Sequence, residues 1–318
     1  MKARAWAGLA LLPMTFGAGF IGWKARAVAR ELVDPPFYRV QPLARVQATY
    51  RELAEGQDGD PGGTWSAVTV DHLEVWRLTR PTRSPGVVLM LHGFGDDRWG
   101  TSPALKWFPA LDAAIFTYRR RDDALRRGAP APTVTFGAEE AREVVQVVHH
   151  LEATGTPRES ILLLGRSLGA SVGLLALSQL EAEGRGPLGG FIWEGAPAST
   201  RSFAERLVRG PEDRWWHVLA PAIGRLAAWD AGRLGGYDPD ATELLRHLGG
   251  RTLATPSLCF LATQDRLAPP EVQRQAAARF RDIRVVEVPT WHLNCAQVLG
   301  PAYTEHIRAA TGRWFPRH

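Results

Sequence analysis

From Val87 onward the chain repeats one pattern: a short, mainly apolar run alternating with longer segments of helical periodicity. The apolar runs lie at 87–91, 113–118, 161–164, 191–194, 258–263 and 285–288, and the helical segments at 138–153, 168–183, 271–281 and 293–310. Runs with no polar alternation suit strands buried on both faces, and their alternation with helices implies a mostly parallel central sheet covered on both sides. Two earlier runs, 65–70 and 73–78, meet at Asp71-His72 and read as an opening hairpin. Residues 200–236 have no matching strand and read as a helical insertion, a lid, within one domain spanning 65–318.

That architecture says where chemistry should lie. In an open parallel sheet, the loops beyond the C-terminal strand ends converge on one edge. Gly165-Arg166-Ser167-Leu168-Gly169 follows the run 161–164 directly and opens the helix 168–183. Strand, tight turn and helix together make a nucleophile elbow, in which small flanking residues let the chain turn and present the Ser167 hydroxyl. Such a hydroxyl needs a base, and the base needs an acid that fixes its tautomer. Asp265 follows the strand at 258–263, and His292 is the histidine in the loop directly after the last strand. Glu194, after an earlier strand, is the reserve acid. A tetrahedral oxyanion needs backbone donors, and Leu91-His92-Gly93-Phe94-Gly95 reaches the same edge, so the N–H groups of Phe94 and Leu168 are the expected pair. His92 reads as structural, and Cys259 and Cys295 as buried spectators. Within the lid, Trp215 and Trp216, with Leu219 or Ile223, are candidates for an acyl-binding wall.

The N-terminus obeys different rules. Residues 5–23 carry no charge between Arg4 and Lys24, approaching the length of a bilayer span, with Trp6 and Trp23 near its ends. Residues 1–24 are therefore expected to be a membrane anchor. A cleaved signal peptide is the rival, since Ala25-Arg26-Ala27 resembles a cleavage site. Residues 25–64 read as a polar connector marked by Asp34-Pro35-Pro36 and a Gly/Asp/Pro-rich stretch at 56–63. Net charge +5 and a pI near 9.6 would raise nucleic acid as a partner, but the basicity is arginine spread along the chain, with neither zinc-finger spacing nor a basic helix. No metal or dinucleotide motif occurs, so no cofactor is expected.

As a set, the segments LMLHGFG, TFGAEEAREV, LLLGRSLGAS, YDPDATELLRHL, CFLATQD and WHLN resemble the α/β-hydrolase superfamily. More narrowly, they resemble its membrane-anchored or secreted bacterial members with a serine-aminopeptidase-like domain. The resemblance covers residues 65–315 and implies the α/β-hydrolase fold, with nucleophile, acid and base at Ser167, Asp265 and His292. One departure is Arg119-Arg120-Arg121, where such proteins carry an acidic residue and a Gly-rich turn. A solvated charge run is the expectation there, with contact to anionic substrate or lipid as the alternative. The functional expectation is a serine hydrolase of a small or lipid-like ester, thioester or amide. The alternatives are an acyltransferase on the same triad and a non-enzymatic, membrane-tethered binding protein.

Overall fold

A computed structural model describes residues 2–35, 52, 55, 61–210 and 215–315, with the side chains of 2–17, 215 and 216 outside that description. Eight strands form one sheet: β1 (Thr64–Val70), β2 (Leu73–Thr79), β3 (Val87–Leu91), β4 (Asp112–Phe116), β5 (Ile161–Arg166), β6 (Gly190–Glu194), β7 (Ser257–Ala262) and β8 (Ile283–Val288). Their spatial order is β1-β2-β4-β3-β5-β6-β7-β8. The β1–β2 and β2–β4 pairs are antiparallel, and every other pair is parallel. The opening hairpin turns where the sequence places it: Val70 pairs with Leu73, and Asp71 takes the left-handed conformation that so tight a turn requires, at φ 51°.

The fully apolar strands are the central ones, and successive side chains serve opposite faces of the sheet. Val87, Leu89 and Leu91 of β3 join one core with Leu163, Phe191 and Trp193, whereas Val88 and Met90 join the other with Leu162, Leu164, Ile192 and Phe260. Every residue of β3, β6 and β7 is buried, while the edge strands β1 and β8 are largely exposed or half-buried. The run expected at 113–118 pairs only as far as Phe116. Beyond it Tyr118 enters a short turn that leads into a helix not foreseen, α2 (Arg121–Arg126).

On the first core face lie α3 (Glu140–Ala153) and α4 (Leu168–Ala182). The insertion at 200–236 contains α5 (Thr200–Arg209), opened by a Ser199–Ser202 capping box, and α6 (Ala220–Gly235), closed by Gly236 at φ 70°. After it come α7 (Leu244–Leu248) and α8 (Pro270–Ala277). The helix expected over 293–310 is broken in two, α9 (Cys295–Leu299) and α10 (Pro301–Trp314). Pro301 cannot donate to the preceding turn, and Gly300 bends the chain at φ 54°.

The main correction concerns the expected connector at 25–64. Its first part is helical: α1 runs from Lys2 to Val33. Ala25, Val28, Ala29, Leu32 and Val33 are buried in the same core as the lid residues Ala220, Ile223, Ala227 and Ala231. Their spacing of i, i+3, i+4, i+7 and i+8 is that of one helical face. The Asp34-Pro35 signal marks where the helix ends, and Val134 N–H donates to Val33 O at 3.0 Å, fixing that end to the domain that carries the sheet. Among the described residues no helix is long and apolar enough to cross a membrane.

Candidate active site

The elbow is held by steric necessity. Ser167 sits at φ 53°, ψ −125°, a backbone conformation that costs a non-glycine residue about 1–3 kcal/mol. Its two glycine neighbours have no room for a side chain. A Cβ on Gly165 would lie 2.5 Å from Gly169 O, and one on Gly169 would lie 2.1 Å from Leu91 O. The elbow can therefore pack against β3 only with these residues. Ser167 N–H donates to Glu194 O at 2.9 Å, and Ser167 O accepts from Ala170 N at 2.8 Å as α4 begins.

The three residues singled out in the sequence meet at this edge. His292 Nε2 lies 2.9 Å from Ser167 Oγ, and His292 Nδ1 lies 2.7 Å from Asp265 Oδ2. With a carboxylate at Nδ1 and a hydroxyl at Nε2, the arrangement suits a ring that is protonated at Nδ1 and accepts the serine proton at Nε2. Asp265 is buried and uses both oxygens: Oδ1 accepts from Leu267 N and Ala268 N, each at 2.8 Å, while Oδ2 faces the imidazole. The same carboxylate thus braces its own loop through Oδ1 and faces the imidazole through Oδ2. Glu194, the reserve acid, points elsewhere. Its Oε1 accepts from Cys295 N at 3.0 Å, and its Oε2 accepts from Tyr303 OH at 3.3 Å.

The loop after β3 lies against the elbow: a Cβ on Gly93 would stand 3.6 Å from both Ser167 Cβ and Arg166 O. Phe94 follows on this loop, and Leu168 opens α4, so both expected oxyanion donors belong to segments that border Ser167. His92 is structural, as expected. Tyr118 N–H donates to its Nε2 at 3.2 Å, which leaves Nδ1 to donate to Gly93 O at 2.9 Å. Burial lowers its pKa, so it stays neutral. Burial also raises the pKa of both cysteines, which accordingly keep their protons.

Sequence reasoning missed several supports of the site. Phe94 packs on Phe136 at 5.3 Å and edge-on to Phe203 of α5 at 5.1 Å between ring centroids, so the first lid helix reaches the loop beside the nucleophile. Buried Gln273 links two loops: its Oε1 accepts from Gly195 N at 3.2 Å, and its Nε2 donates to Ala268 O at 2.8 Å. Gly195, at φ 69°, lies so close to the imidazole that a Cβ would stand 2.9 Å from His292 Cε1. The spacing of apolar residues carries no signal for any of these contacts.

Other expectations are corrected or fall outside the description. Ile223 is fully buried in the core rather than lining a wall, and Leu219 packs against that core. The side chains of Trp215 and Trp216 lie outside the described residues. The arginine run is not a solvated charge cluster. Arg119 donates its backbone N–H to Glu143 at 2.9 Å and its guanidinium to Thr133 O at 2.9 Å, and Arg120 pairs with Asp123 at 2.8 Å. Arg121 is buried and joins Asp34 and Pro132 O, tying the end of α1 to the loop before α3. Pro35 then lines a small pocket of about 20 Å³ beside Gly93 and Leu168. No cluster of potential metal ligands occurs among the described residues.

No family model and no curated protein matches the chain. Solved structures do. The chain is similar to the esterase Pf2001 of Pyrococcus furiosus, at 16% identity and a TM-score of 0.57 over 80% of this chain and 94% of that one. It is similar to EstE5, in a crystal soaked with p-nitrophenyl butyrate, at 17% identity and a TM-score of 0.56 over 92% and 97% of the two chains. It is likewise similar to an esterase/lipase from an uncultured bacterium, at 17% identity and a TM-score of 0.54, again over 92% and 97%. At these identities the likeness concerns the fold, and with the sheet topology it gives this chain the α/β-hydrolase fold.

Proposed function

We propose that the chain is a serine hydrolase acting on carboxylic esters. The observation that carries the reading is the unbroken relay from Asp265 through His292 to Ser167, with the nucleophile on a strained elbow. His292 Nε2 takes the proton as Ser167 Oγ attacks the acyl carbon. Asp265 holds the ring and stabilises the imidazolium that forms. The N–H groups of Phe94 and Leu168 receive the developing oxyanion. Collapse of the tetrahedral intermediate breaks the bond to the leaving alkoxide, which takes the proton from His292 Nε2. Water, deprotonated by the same nitrogen, then releases the acid from the acyl-enzyme.

The aromatic cluster of Phe94, Phe136 and Phe203 supports an apolar acyl side, with the lid as one wall. The motif set supports the narrower placement beside the serine-aminopeptidase-like hydrolases. Membrane association belongs to the same reading: the uncharged run at 5–23 lies on the helix whose second half docks on the lid, so an anchor there would hold the lid close to the bilayer. Sedimentation of the full chain with membranes at physiological salt is the expected result, and its recovery in the supernatant would remove the anchor. For the chemistry, hydrolysis of a p-nitrophenyl ester panel that disappears in Ser167→Ala, with the circular-dichroism spectrum unchanged, is expected. Undiminished turnover in that variant would refute the assignment.

A further inference from the structure

Catalysis requires His292 to be held within a few tenths of an ångström of Ser167, yet apolar packing anchors its segment only from Cys295 onward, three residues beyond the imidazole. Trp291 is 55% exposed, and Leu293 adopts φ 57°, a conformation that a β-carbon resists. Two side chains meet this segment from the sheet. Arg166 and Glu194 are register partners at the C-terminal ends of β5 and β6, so their side chains leave the sheet on one face, with Arg166 Nε 3.5 Å from Glu194 Oε2. Arg166 NH2 donates to Leu293 O at 3.0 Å, and Glu194 Oε1 accepts from Cys295 N at 3.0 Å. The guanidinium also lies over the Trp107 ring at 5.8 Å. The residue before the nucleophile and the residue ending the next strand thus grip the chain one and three positions beyond His292.

We infer that Arg166 and Glu194 form a positioning clamp that sets the orientation of His292 toward Ser167. Glu194 is 1% exposed while the Arg166 side chain stays a third exposed, and such a half-buried pair adds little to stability compared with an apolar pair of similar volume. What an apolar pair could not supply is a donor for the Leu293 carbonyl and an acceptor for the Cys295 N–H, both on the segment that must not drift. The pair touches no reacting atom in this account. It acts through the imidazole, and a misplacement of about 1 Å at a catalytic group is enough to cost about 100-fold in rate.

The inference rests on the assignment of Ser167 and His292 as nucleophile and base, and the test separates the two claims. Turnover of p-nitrophenyl butyrate is measured for the full chain and for Arg166→Met, Glu194→Gln, Ser167→Ala and His292→Ala, and for Arg166→Met combined with His292→Ala. The clamp predicts that Arg166→Met lowers kcat about 10- to 100-fold with KM within about twofold, that Glu194→Gln loses less because an amide oxygen still accepts from Cys295, and that Arg166→Met has no further effect once His292 is alanine. If Arg166→Met does not fold, Arg166→Lys replaces it, since a single ammonium cannot span both Glu194 and Leu293 O, and the same loss of kcat is expected. Wild-type kcat in the folded Arg166 variant, or an equal further loss in the His292→Ala background, would overturn the clamp while an inactive Ser167→Ala left the triad standing. Activity in Ser167→Ala would overturn the triad itself.

Discussion

The catalytic edge and the layer formed by α1, α5 and α6 are built on opposite principles. At the edge, single contacts over-determine the geometry: Gly169 has no space for a methyl group against Leu91 O, Ser167 is strained, and Asp265 spends both oxygens on fixed partners. In the helical layer the contact is smooth. Small residues let the helices approach, so that a Cβ on Gly224 of α6 would come within 2.9 Å of Glu205 Cα on α5, and Ala25 and Ala29 of α1 are buried with Ala227 and Ala231. The layer also keeps apolar groups in solvent, with Trp229 58% and Leu226 44% exposed. On the proposed reading, the strained edge would carry the chemistry and the layer held by small-residue packing would bear on access to it. Changes at the edge should remove chemistry and leave the fold, while changes in the layer should alter stability or selectivity and leave the triad.

The largest effect is expected at the acid. Asp265→Asn should lower kcat/KM by about 10³–10⁴-fold by failing to hold the imidazole tautomer, with the Tm little changed because the amide oxygen can still accept from Leu267 and Ala268. A loss of less than tenfold would assign orientation of His292 to another group.

In the helical layer, Ala29→Glu places a carboxylate at a fully buried contact between α1 and the core and should destabilise the protein by about 3 kcal/mol, read as a fall in Tm. An unchanged Tm would mean that α1 is not part of the folded unit. The two regions can be compared in this variant: labelling of Ser167 by a fluorophosphonate should persist below the new Tm.

The contrast also explains what could be read from the sequence. The strands of the sheet were legible because each position faces one of two cores, leaving runs with no polar break, and the elbow was legible because its glycines are forced by short-range contact. The docked half of α1 was hidden because Lys24, Arg26, Arg30 and Glu31, which lie off its apolar face, alternate with the buried residues along the chain and look like a charged linker after an anchor. Arg119, Arg120 and Arg121 misled for a related reason. Their partners Glu143, Asp123 and Asp34 are spread over more than a hundred positions of chain, and no local pattern shows three adjacent cations to be separately satisfied. The Phe94–Phe136–Phe203 contact joins three segments that only the fold brings together.

That aromatic contact gives the next, smaller effect. Phe203→Ala opens space between the lid and the loop after β3 and should shift preference toward longer p-nitrophenyl esters by about tenfold in kcat/KM, since an apolar contact is worth about 1–3 kcal/mol in such a pocket. An unchanged chain-length profile with normal stability would remove the lid from specificity.

The smallest effect is electrostatic and lies behind the edge. Burial pushes the Asp97 carboxyl up to about 6 from an ordinary 3.8, and that of Glu143 up to about 7 from 4.5. Both groups bind a proton more readily folded than unfolded. Their contribution is therefore fully present below the ordinary carboxyl range and is lost as pH rises through about 6 and 7. Asp97→Asn keeps the acceptor for Trp99 N and should flatten the Tm profile between about pH 4 and 6, with a gain of about 1 kcal/mol at neutral pH. A steeper profile in the variant would reverse the sign of this account.

The central claim is that Ser167 Oγ, activated by His292, is the nucleophile of this fold, and covalent capture tests it most directly. The full chain is treated with a fluorophosphonate, digested and sequenced by mass spectrometry. A single phosphonylated residue, Ser167, formed quickly in the native chain, at least about 10³-fold more slowly in His292→Ala and not at all after heat unfolding, is the expected result. A phosphonyl group on any other residue, or equal labelling of Ser167 with and without His292, would contradict it.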